Sequence, residues 1–204
     1  MKNLVIKTAL ITLASIIGVA LVVMGALMIF APKTIANFFD NLGMDNAALT
    51  FYEKQYDKTE EISDLAIVID KIDVDERPLD TEKYLLTMLS HNDYEAYLTE
   101  TAKENFGSTE KAREFYYGKL VLSRVNLSKF SDALNDAYEF YTKHGGYTEG
   151  NPYRTILYTK GETLSDQYLK DLKSAIRYKT PQTLVEKDVA EIDKIIQERT
   201  DKGE

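Results

Sequence analysis

The chain has 204 residues, 44% of them hydrophobic, enough to bury the core of one domain of ordinary size with additions. Beyond residue 31 it carries 23 basic against 33 acidic residues, a net charge of −10, with the two signs interleaved as in Lys54, Asp57, Lys58 and Glu60. That pattern speaks against nucleic acid as a partner, which needs clustered Lys and Arg. The absence of cysteine excludes disulfides, cysteine-ligated zinc and thiol catalysis, and is compatible with export.

The first element is apolar. Thr8 to Ala31 is a run of 24 residues without a charged side chain. As a helix it reaches roughly 36 Å, against the bilayer core of about 30 Å that about 20 residues cross. A cleaved signal would have an apolar region of about 7–15 residues ending in small residues. This run is longer, Ile29 lies two places before Ala31, and Pro32 follows. Residues 1–31 therefore read as an uncleaved single-pass membrane anchor, with the membrane itself as a partner of residues 8–31. Lys2, Lys7 and the free amine precede the span and only Lys33 follows closely. This bias expects the N-terminus in the cytoplasm and residues 32–204 outside, at the cell membrane. Ala14 and Gly18 form a small-xxx-small pair, with Gly25 one heptad on, the spacing that permits weak self-association of the span.

Residues 32–45 read as a juxtamembrane amphipathic linker. Ile35, Phe38, Phe39 and Leu42 share a helical face that suits the headgroup region or the first domain helix, and Gly43 ends the turn. From residue 46 to 204 the periodicity is helical. Cap residues recur ahead of apolar faces: Asp45 or Asn46, Thr59, Asp80, Asn92 with Glu95, Ser108, Ser128, Asn151 with Pro152, Thr163 with Asp166, and Thr180 with Pro181. The last helix carries the stripe Leu184, Val185, Val189, Ile192 and Ile196. Short connections make antiparallel neighbours, so the expected fold class is all-α, a single transmembrane helix followed by a row of helical hairpins.

An internal period supports stacking of those hairpins. Tyr52, Tyr84 and Tyr116 fall 32 residues apart on first helices, and Leu65 and Tyr97 do so on second helices. The segment from Leu49 to Pro78 resembles a tetratricopeptide repeat. Leu49, Tyr52 and Tyr56 stand at its first-helix positions, Leu65, Ile69 and Ile72 at its second-helix positions, and Pro78 near its closing proline. Glu53, and Leu65 in place of alanine, depart from its small residues. The resemblance covers residues 46–178 in degenerate form. It implies an α-solenoid whose concave surface binds a protein or peptide; the plain alternative is an irregular helical bundle.

Little in the chain points to chemistry. His91 and His144 each close a helix, where a partial positive charge suits the dipole, and neither has a second ligand at metal spacing. Asp70, Asp73, Asp75, Glu76, Asp80 and Glu82 lack the central glycine of a calcium loop and read as a solvated connection. No phosphate loop, nucleophile elbow or zinc helix motif is present, so no catalytic residue, metal site or cofactor is expected. Tyrosine is the enriched residue: 14 are present, all beyond the span. Tyr84, Tyr97, Tyr116 and Tyr138 sit at core spacing. The Gly-rich stretch 145–154 breaks the helical pattern and offers Tyr147, Tyr153 and Arg154 as partner-binding residues. A membrane-anchored adaptor without catalysis is the leading expectation. Its alternatives are an extracytoplasmic ligand-binding or hydrolytic domain with an unrecognised site, and a structural subunit of a membrane complex.

Overall fold

A computed structural model describes the backbone of residues 2–203, and the side chains of these except residues 2–6, 9 and 145. The Lys2 side chain, one of the charges flanking the span, lies outside that set. Two compact units are formed, residues 1–71 and 72–204. Every described element is helical.

In the first unit, α1 (Lys2–Phe30) carries the apolar run. Its Leu10–Phe30 stretch is long and apolar enough to cross a membrane, and none of that stretch is buried by the rest of the protein. The helix breaks at Ala31, which leaves helical geometry at φ −137°, and Pro32 opens α2 (Pro32–Asn41) at a position where a missing N–H costs nothing. Residues 32–45 thus form a helix and turn whose apolar face packs in part on the first domain helix, one of the two placements its pattern suits, within the same compact unit as residues 46–71. Ile35 and Ala36 are buried, and Phe39 stacks on Phe51 with ring centroids 5.6 Å apart. Gly43 ends α2 as expected, in the left-handed region at φ +69°, where a side chain would be strained. The following amide, of Met44, donates to the Phe39 carbonyl at 2.9 Å.

Helices α3 (Asp45–Thr59) and α4 (Ile62–Lys71) complete this unit as a hairpin. Asp64 is buried there and accepts from Lys33 at 2.7 Å, Gln55 at 3.0 Å and Thr59 at 2.9 Å. Burial opposes its charge, but the three donors outweigh burial and hold its carboxyl below the ordinary value. Lys58 donates to the carbonyl of Phe30 at 2.9 Å, satisfying an orphan acceptor at the end of α1.

The second unit holds α5 (Pro78–Leu89), α6 (Tyr94–Tyr97), α7 (Lys103–Phe106), α8 (Thr109–Asn126), α9 (Phe130–Phe140), α10 (Pro152–Lys160), α11 (Asp166–Ile176) and α12 (Gln182–Lys202). A π-turn over Leu98–Ala102 joins α6 to α7, and another over Tyr141–Gly145 extends α9. Helix α8 packs on α5, α9 and α10; α9 also meets α10 and α11; α12 packs on α11 and α10. Apolar side chains of α8 to α12, with Tyr147, Tyr153 and Tyr168, form a continuous core.

The expected caps are realised in part. Ser108 accepts from the Lys111 amide at 3.1 Å and Asn151 from the Tyr153 amide at 3.0 Å. Pro78 opens α5, displacing Asp80 from the cap to pair with Arg77. Ser128 takes a left-handed turn at φ 59° after α8, so α9 begins two residues later, and Ser165 rather than Thr163 caps α11. Pro181 lies just before α12, which begins at Gln182. The 72–77 connection is exposed at Asp73, Asp75 and Glu76, and Asp75 ties it down by accepting from Asn126 at 2.8 Å and Lys160 at 2.5 Å.

Candidate functional site

The loop after the second π-turn folds against α12. Gly146 adopts φ +83°, a conformation suited to glycine, and its carbonyl accepts from the Asn151 side-chain amide at 2.9 Å. The Tyr147 amide donates to the Thr180 carbonyl at 3.3 Å, which ties this loop to the 177–181 connection. Tyr147, Tyr153 and Arg154 are indeed brought together, but inwards: they are 2%, 2% and 3% exposed. The loop turns them towards the core, where Tyr147 and Arg154 share one buried partner.

That partner is Asp188 of α12, with no exposed surface. Its Oδ2 accepts from the Tyr147 hydroxyl at 2.7 Å and the Arg154 Nε at 2.8 Å, and its Oδ1 from the Tyr158 hydroxyl at 2.6 Å. Arg154 also pairs with Glu149 at the rim. Burial works against the Arg154 charge, yet hydrogen bonding to Tyr158 and Asp188 holds its pKa above the ordinary value. Burial and then the bond to Asp188 push the Tyr147 hydroxyl up, and burial raises Tyr153 to about 12. The tyrosines therefore remain protonated donors at neutral pH, and both Asp188 oxygens are occupied. Asp188 is not singled out by the sequence reading above. Its signal was an acid three residues after Val185 and four before Ile192, inside the apolar stripe of α12.

Beside this network the Lys179 ammonium sits 4.1 Å from the ring centre of Tyr141, 4.8 Å from Tyr138 and 5.8 Å from Tyr153. Burial lowers its pKa, and cation–π attraction is its compensation. Tyr138 is not a core residue: it is 55% exposed, while Ala133 and Ala137 of α9 are buried. Tyr178 and Tyr158 are exposed too, and Tyr158 lines a shallow open depression of about 370 Å³ with Glu149, Arg154, Thr155, Thr159 and Lys187.

A second polar cluster joins Glu82 to Arg124 at 3.1 Å and to Lys129 at 2.5 Å, with Asp136 accepting from Arg124 at 2.8 Å. Burial pushes the Asp136 carboxyl up to about 6, against the pull of Arg124. His144 lies against the rings of Tyr117 and Phe140, and burial followed by Arg113 lowers its pKa. It does close a helical segment, but the site disfavours the charge expected to suit the dipole. His91 follows α5 and accepts from the Asp93 amide at 3.1 Å through Nδ1. Among the described residues no group of three or more His, Asp or Glu is arranged to hold a metal ion. Comparison of the chain with family models, with curated proteins and with solved structures finds no match.

Proposed function

We propose that this chain is a membrane-anchored helical adaptor, with α1 as the span and the second unit binding a protein or peptide partner without catalysis. The observation that carries the reading is the exposure of tyrosines around a saturated polar core. Tyr138, Tyr158 and Tyr178 present large amphipathic area with few rotatable bonds, the kind of side chain enriched at interfaces. Asp188 meanwhile is fully buried and accepts from three protein donors. Packing of α5, α8 and α10 in succession, and of α9 on α11, supports the resemblance to tetratricopeptide repeats, in which like helices stack. The flanking lysines favour the N-terminus inside the cell and the second unit outside.

Photo-crosslinking amino acids at positions 138 and 178, introduced into the full chain in intact membranes, test this reading. A discrete adduct at these positions and not at solvent-facing Glu186 is the expected result. The same bands from all three positions would refute it.

A further inference from the structure

We propose that α2 lies along the membrane surface, with Phe38, Leu42 and Met44 seated in the headgroup layer as a second, interfacial contact with lipid. This rests on the reading of α1 as a span and adds a contact that α1 does not supply. The three side chains are 47%, 58% and 48% exposed, whereas Ile35 and Ala36 of the same segment are buried against the unit itself. The apolar side of this segment is therefore only partly covered by protein: Phe38 near the end of α2, and Leu42 and Met44 in the turn that follows it, stay about half exposed. Only Ala31 separates α2 from the apolar stretch that ends at Phe30.

Two features hold it there. Ala31 leaves helical geometry, so α2 starts from a corner rather than as a continuation of α1. The Lys58 bond to the Phe30 carbonyl fixes the far end of α3 to the same point, which limits how far the α2–α3 pair can swing away. At about 1.5 Å per residue, Phe38 lies within roughly 10 Å of that corner.

Charge selects the kind of lipid surface. Residues 32–71 carry four basic against eight acidic residues, a net of −4, and Lys33 is already paired with Asp64. Anionic headgroups offer such a segment no attraction, so the contact is an apolar one with neutral, zwitterionic lipid.

The chain contains no tryptophan, so one introduced residue is a sole reporter. The full-length Phe38→Trp, Leu42→Trp, Val22→Trp and Glu186→Trp variants are reconstituted in phosphatidylcholine vesicles with or without brominated acyl chains. Expected are strong quenching at Val22, shallower quenching with blue-shifted emission at Phe38 and Leu42, and none at Glu186. Addition of anionic lipid should not increase the quenching. Quenching at Val22, with Phe38 and Leu42 as unquenched as Glu186, overturns the surface contact and leaves the span intact. No quenching at Val22 overturns both. A several-fold gain from anionic lipid overturns the apolar mode of contact.

Discussion

Replacing Asp188 by leucine removes the acceptor of three hydrogen bonds at a point with no solvent access. The Arg154 side chain is 4% exposed and would keep its charge, with only the rim carboxylate of Glu149 to answer it. Breaking a buried ion pair by removing one partner costs about 3–5 kcal/mol. The stranded Tyr147 hydroxyl adds to this, while Tyr158 can turn to water, so about 4 kcal/mol is expected. At about 3 °C per kcal/mol for a domain of this size, the melting temperature falls by roughly 12 °C. Urea unfolding of the full chain in detergent, followed by far-ultraviolet circular dichroism, measures it. Asp188→Asn keeps one acceptor oxygen and should cost less than the leucine. The decisive comparison is Arg154→Met with Asp188→Leu: with the uncompensated charge gone, the double variant should be more stable than Asp188→Leu alone. A loss under about 1 kcal/mol for Asp188→Leu, or strictly additive single effects, would refute the account of a coupled buried pair.

Other groups give further tests. Asp136 binds its proton more tightly folded than unfolded, so the stability it contributes is full below pH 3.8 and lost as pH rises through about 6. Asp136→Asn should flatten the melting temperature across that window and raise it at pH 7. His144 behaves in the opposite sense: its depressed pKa contributes stability above pH 6.5 that is lost as pH falls, and His144→Phe should remove that acid-side decline, read from melts between pH 7 and 5. Asp64→Ala should destabilise the first unit by about 2–4 kcal/mol through three orphaned donors, and amide exchange in α2 to α4 would report it. Lys179→Met should cost about 1 kcal/mol and bring the tyrosine rings around it into a new environment, visible as shifts of their proton resonances.

Much of the local order was legible from residues alone. A 24-residue apolar run, the Ser108 and Asn151 caps and the Gly43 stop are signals carried by a few neighbouring positions, because hydrogen-bond capping and a positive φ are local demands. The 32-residue spacing likewise placed Tyr52, Tyr84 and Tyr116 on α3, α5 and α8. What a face meets is another matter. Tyr147, Tyr153 and Arg154 in a Gly-rich stretch read the same whether the loop is displayed or folded in, and only with α12, more than thirty residues later, do Tyr147 and Arg154 meet their buried partner Asp188. Tertiary contact alone also exposed Tyr138 and left His144 half-buried near Arg113, where its charge is disfavoured. Sequence pattern determines which elements form and which face is apolar; the desolvation and pairing of each polar group depend on distant partners that only the folded chain brings into reach.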